Sequence, residues 1–255
     1  MQPVSTKQCC GSGIVNGIIR TLGEAFGMRG KHEMPGISGQ TWSGYYMETR
    51  FYDLNDLVRT DCHDCMGCSS CCRDMGDSIL LDPYDAYQFQ KQGKPMAALL
   101  ESGAAALTVW EGMILPHLQM NEATGACSFL SAEGRCGIHD SRPGICRLFP
   151  LGRNFADGKM NYFLLEDACG NRNRSKIRVS RWLGIEPADA YHAFVLKWHD
   201  FRREMVDILA EAEEEQAKQL NLYLLRTFFL TSYDTTAEFY PQFGERAARI
   251  MDAFR

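Results

Sequence analysis

The sequence predicts an α+β fold: a small, irregular, cysteine-rich sheet domain with short helices, followed by a helical C-terminal segment. Three observations predict it. Cysteines crowd into the run CHDCMGCSSCC, which holds Cys62, Cys65, Cys68, Cys71 and Cys72, and they recur between Cys127 and Pro150, where glycine and proline break the chain too often for long elements. Between these two groups lies a stretch rich in β-formers, from Leu107 to Met120. After Asp189 the apolar residues return at steps of three and four, the period of an amphipathic helix.

Taken in order, residues 1–55 are glycine-rich, with a short helix expected through Val15 to Phe26 and then the loose stretch GMRGKHEMPGISGQ, so they read as a flexible leader. Residues 56–175 read as the cysteine-cluster domain. Within it, DSILLDP gives a short strand that stops at Asp82 and Pro83, a pair suited to the N-cap and first position of a helix carrying Tyr84, Tyr87 and Phe89. Pro95 opens a second short helix through Met96 to Leu100. Gly112 and Pro116 are expected to punctuate the β-rich stretch into short antiparallel strands. Cys127 to Pro150 should be mostly loop, bending its thiols toward one point, and NYFLLEDAC suggests a strand ending near Cys169. Residues 176–255 read as the helical segment. Tyr191, Phe194, Val195, Trp198, Phe201, Met205, Ile208 and Leu209 form one helical stripe, residues 211–230 continue it, and Glu238 to Phe254 forms a last helix.

The 255 residues are 45% apolar, enough for a real core, and 27 basic against 32 acidic side chains leave a net charge of -5. That balance removes the broad electrostatic reason to expect nucleic acid as a partner. The run Arg172, Arg174, Lys176, Arg178 and Arg181 lacks interleaved aromatics and reads as a solvated face or a partner for the acidic EAEEE segment. No apolar stretch approaches the roughly 20 residues of a membrane helix, and MQPVSTKQCCGSG lacks the apolar core of a secretory signal. The expected compartment is the cytoplasm. There, eleven cysteines point to metal ligation rather than to a disulfide framework.

The C-x2-C spacing returns two side chains to the same side of a tight turn, so both can reach one metal, and its repetition makes a multidentate claw. Crowded thiolates repel unless a cation, a cluster or oxidation relieves them. Cys71 and Cys72 are adjacent, and neighbouring side chains diverge, so one of the two is expected to serve a second metal, a larger cluster or the core. Cys127, Cys136 and Cys146 must be brought in across long loops, and ligation offsets that entropy, since a structural zinc site is worth on the order of 10 kcal/mol or more.

Cys65-x-x-Cys68-x-x-Cys71-Cys72, then Cys127-Ser-Phe-Leu, Cys136-Gly-Ile-His and Arg142-Pro143-x-x-Cys146-Arg147-x-Phe149-Pro150, closely resembles the CxxCxxCC family of zinc- or iron-chelating domains, also called YkgJ-like cysteine-cluster proteins. The resemblance covers residues 60–172. It implies a cytoplasmic bacterial protein that holds zinc or iron, possible as a [4Fe-4S] cluster, through Cys65, Cys68, Cys71, Cys72, Cys127, Cys136 and Cys146. Cys9, Cys10 and Cys62 lie outside the pattern, while Cys169, His63 and His139 stand near enough to be additional ligand candidates. A related cluster occurs in flagellin lysine N-methylases, where an iron–sulfur centre and S-adenosylmethionine are implicated; this chain is short and lacks a glycine-rich cofactor loop after a long apolar strand.

Arg142 and Arg147 are expected to support the centre, either by neutralising its excess negative charge or holding an anionic ligand, or by pairing with Asp140 or backbone carbonyls to fix the loop. Pro143 and Pro150 should shape that loop and Phe149 pack beneath it. The first functional reading is therefore a metal-binding protein. Its rivals are an iron–sulfur enzyme acting by redox or methyl transfer on a small molecule or protein substrate, and a metal-handling factor that passes its ion to a protein partner. No catalytic set can be assigned from spacing.

Overall fold

In the computed structural model the described residues are 50–61, 68–166, 168–171 and 173–253. The expected leader up to residue 49, with its helix at Val15 to Phe26, and Cys9, Cys10, Cys62, His63 and Cys65 lie outside them. The architecture is α+β: three small antiparallel sheets backed by helices, with the long helices at the C-terminal end. Strand β1 (Phe51–Tyr52), at the end of the stretch expected as leader, pairs with β6 (Lys159–Leu164), which pairs in turn with β5 (Leu151–Ala156). Strand β2 (Leu57–Asp61) pairs with β7 (Ser175–Arg178), and β3 (Ala105–Trp110) with β4 (Met113–Leu118).

The β3–β4 hairpin turns at Glu111 and Gly112, both at positive φ (51° and 83°), so glycine does what its position required. Pro116 does not end a strand as expected: it sits inside β4 opposite Leu107. In a two-residue hairpin the pair flanking the turn, Trp110 and Met113, exchanges hydrogen bonds, and the pattern then alternates. Counting from there, the nitrogen of residue 116 faces away from β3, where no ladder bond is lost. Its carbonyl accepts from the Leu81 N–H at 2.8 Å, and the Leu118 N–H donates to the Ile79 carbonyl at 3.0 Å, so the DSILL segment runs along the outer edge of β4.

Helix α1 (Pro83–Lys91) starts where the sequence indicated. Asp82 accepts from the Asp85 N–H, the Asp85 carboxylate accepts from the Asp82 N–H, both at 2.9 Å, and proline occupies the first turn. Helix α2 (Met96–Glu101) follows Pro95, and α3 (Gly144–Leu148) is a single turn and a half within the otherwise looped cysteine stretch. After α4 (Val179–Leu183) come α5 (Ala188–Glu211), α6 (Glu214–Leu225) with a wide π turn at Arg226–Leu230, and α7 (Phe239–Asp252). No helix among the described residues is long and apolar enough to cross a membrane.

The helical segment packs on the cysteine domain. Tyr84 of α1 meets Tyr191 of α5 and Phe239 of α7 at ring distances of 5.3 and 5.2 Å, and Phe194, Trp198, Phe201, Phe228 and Phe243 extend that aromatic core. Buried Asn221 of α6 accepts from the Ile114 N–H at 2.8 Å and donates to the Gly112 carbonyl at 3.0 Å, stitching the helix to the β3–β4 turn. These contacts join the helices after residue 176 to the sheets and helices before it. Of the EAEEE segment, Glu214 and Glu215 reach Lys218 on their own helix, while Lys176 and Arg178 lie on β7.

Candidate metal centre

Cys71 and Cys72 lie in a 3-10 turn (Ser70–Cys72) that follows Cys68. This turn is tied directly to the second cysteine group by backbone bonds. The Cys127 N–H donates to the Cys72 carbonyl at 2.8 Å, the Asp74 N–H donates to the Gly125 carbonyl at 2.8 Å, and Arg73 bridges Ala126. Gly125 is at φ +64°, and a Cβ there would be strained and would displace the Asp74 carboxylate. Cys127 also bridges Met120 just beyond β4, and Cys136 bridges Leu130 across a tight loop. The loop geometry is what brings distant thiols to one place.

Cys146 arrives on α3, and three elements hold that helix. The Gly144 N–H donates to the buried Asp85 carboxylate of α1 at 2.9 Å, the Tyr191 hydroxyl of α5 fills the space beside Gly144, and the Trp182 indole of α4 donates to the Leu148 carbonyl at 3.3 Å. A Cβ on Gly144 would stand 1.9 Å from the tyrosine oxygen.

Cys68, Cys71, Cys72, Cys127, Cys136 and Cys146 line one cavity of about 360 Å³, whose remaining wall is mainly apolar and includes Ile138, Phe149 and Leu151. All six are free thiols; Cys68 is exposed and the rest half-buried. Both adjacent cysteines face this cavity, so the expected divergence of Cys71 from Cys72 is not what the 3-10 turn produces. No three His, Cys, Asp or Glu side chains among the described residues stand as a closed ligand set for a single ion. The thiols surround a space rather than a point. His139 also lines the cavity, whereas Cys169, free and half-buried, does not.

Electrostatics separate the thiols. The Cys71 S–H bonds to the Cys72 sulfur, which holds Cys72 below the ordinary thiol range and, with burial, pushes Cys71 well above it. Cys68 is lowered by the Ser70 hydroxyl 3.4 Å away. Burial raises Cys127, and burial followed by the Asp85 charge raises Cys146. Protonated, several of these groups are poor nucleophiles; a cation in their midst would reverse the preference.

The two arginines are placed differently. Arg142 lines the cavity, and its Nε is buried without a hydrogen-bond partner among the described residues. Arg147 donates from Nε to the Arg142 carbonyl at 3.0 Å, from one terminal nitrogen to the Gly184 carbonyl at 3.5 Å and from the other to the Asp140 carbonyl. It fixes the loop and does not line the cavity. An orphaned buried guanidinium nitrogen beside six thiols fits a centre that carries net negative charge, as a metal bound by several thiolates does.

Residues 64–170 match the model of the CxxCxxCC family, described as a putative zinc- or iron-chelating domain. No curated protein matches the chain, and no solved structure does. The match spans both cysteine groups and the strand between Pro150 and Cys169, so it supports metal binding by the segment that forms the cavity.

Proposed function

We propose that this chain, whose residues 64–170 match the CxxCxxCC family model, holds zinc or iron in the cavity walled by Cys68, Cys71, Cys72, Cys127, Cys136 and Cys146, with Cys65 completing the set. The observation that supports the reading is that thiols from two remote stretches line a single space. Bound there, the metal supplies the positive charge that lets the buried thiols ionise. Arg142 balances surplus thiolate charge, Arg147 holds the loop that carries Arg142, and Asp85 with Tyr191 seats the helix that carries Cys146. Six or seven thiols exceed the four that one zinc takes, so the donor count suits two zinc ions, or one iron–sulfur cluster such as [4Fe-4S] with two or three thiols to spare. Free thiols suit a reducing, cytoplasmic setting.

Anaerobic purification followed by elemental analysis and absorption spectroscopy tests this. The expected result is stoichiometric zinc in colourless protein, or iron with visible thiolate charge-transfer bands; metal-free protein that takes up neither ion would refute it.

A second reading, an enzyme using the centre for redox or methyl transfer, draws support from the cavity's apolar wall, where the exposed side chains of Ile145 and Leu165 border the thiols. Such a wall would receive an apolar group beside the metal. Under this reading an exogenous small thiol or azide perturbs the metal spectrum; an unchanged spectrum leaves the metal-binding role alone.

A further inference from the structure

A second cavity, of about 590 Å³, lies on a different part of the fold, where the ends of β1, β2 and β7 meet. Arg50, Arg59, Arg174 and Lys176 face it together with two carboxylates, Asp56 and Glu166. Asp56 is already engaged, accepting from the Asp53 N–H at 2.9 Å on its own turn. Arg59 gives one terminal nitrogen to the Arg174 carbonyl at 3.5 Å, and two observations show cationic charge and donors left uncompensated. Arg59 and Lys176 stand directly opposite one another in the β2–β7 register, a placement that costs stability when like charges have nothing between them. Arg174 is 92% buried, yet its Nε and one terminal nitrogen have no hydrogen-bond partner among the described residues; its other terminal nitrogen donates to the Glu166 carbonyl at 3.4 Å. A buried guanidinium left with free donors at a cavity wall is expensive unless an anion completes it.

We propose that this cavity binds the phosphoryl group of a small phosphorylated molecule. Guanidinium and ammonium donors converging from β2, from β7 and from the residues just before β1 and β7 suit a tetrahedral dianion, which offers acceptors in several directions, better than a planar carboxylate that one fork would satisfy. The volume lies within the range of small-molecule sites, roughly 300–1,000 Å³, and leaves room beyond a phosphate for the rest of the molecule. Tyr52, with the Arg50 guanidinium 5.0 Å from its ring centre, offers a flat wall for that remainder. The site is separate from the thiol cavity and does not depend on the metal reading. The basic run at 172–181, which by its sequence looked like a solvated face, supplies two of the four cations, Arg174 just before β7 and Lys176 on it.

Calorimetric titration of the full chain, purified with its metal, tests the proposal with inorganic phosphate, pyrophosphate and acetate at low salt. Pyrophosphate should bind saturably with a Kd below about 1 mM, phosphate more weakly, and acetate not measurably. Arg59→Ala and Lys176→Ala, both at exposed positions that the fold tolerates, should each weaken pyrophosphate about tenfold. Arg174→Lys, which keeps the charge but loses the fork, should weaken it further. The proposal is overturned by the absence of saturable binding, by acetate binding as tightly as pyrophosphate, or by an unchanged Kd in the folded Arg59→Ala/Lys176→Ala double variant.

Discussion

Arg142 and Arg147, five positions apart in the loop before α3 and on α3 itself, show how little a residue's type says about its role. Arg142 presents a buried Nε beside the thiols, while Arg147 spends its donors on the carbonyls of Asp140, Arg142 and Gly184. Replacing Arg142 with Met should leave the fold intact but weaken metal retention about tenfold in competition with a chelator, since one uncompensated charge is worth roughly 1.4 kcal/mol at such a site. Arg147→Met should instead cost about 1–3 kcal/mol in denaturant unfolding, with unchanged metal per folded chain. At the cysteines, Cys72→Ser or Cys146→Ser should lower bound metal while Cys169→Ser, outside the cavity, should not; equal metal content in all three would contradict the assignment. That six of the seven expected cysteines share a cavity was legible from the C-x2-C spacing of the first group and from the family motif that adds the second, while Cys65 lies outside the described residues. The split between the arginines was not, because it depends on the path of the loop after Asp140.

The element on which the site turns is α3. It is too short to be stable alone and is held by the Asp85 carboxylate, the Tyr191 hydroxyl and the Trp182 indole. Gly144→Ala should therefore destabilise the protein by about 1–3 kcal/mol, measured by thermal or denaturant unfolding, because backbone and tyrosine must separate. The Asp82–Asp85 pair makes a pH prediction. Burial, and then the neighbouring Asp82 charge, raise Asp85 well above the usual carboxylate value of 3.8; Asp82 is raised by burial as well. A raised acid means that the folded state binds more protons than the unfolded one above 3.8, so stability falls as pH rises through that window. Metal-free wild type should hold its greatest advantage over Asp85→Asn near pH 4, and the gap should shrink toward neutrality; a gap that widens would refute the sign. At this scale the sequence announced α1 through Asp82 and Pro83 and the long helices through their period. It misled at Pro116, whose nitrogen happens to face away from β3, and it did not announce β5, whose mixed sequence LGRNFA shows no clean alternation.

Across the whole molecule, cysteines 55 or more positions apart meet because Cys127 bonds to Cys72 through the backbone and because the aromatic core beneath α3 fixes Cys146. The α+β class and the helical end followed from patterning, but the contacts that join the helices to the sheets did not, because Asn221 and Tyr191 reveal their partners only once the chain is folded. The fold predicts an uneven response to chelation. Amide exchange should accelerate at residues 68–81 and 120–149, where few regular elements support the backbone, and remain slow in α5 and α6. The most direct test of the shared centre is to count metal, by elemental analysis of anaerobically purified protein, in Cys72→Ser and Cys136→Ser, one variant from each cysteine group. Loss of the same metal from both is the predicted result. Full metal content in either, with loss from the other, would mean that the two groups serve no common site.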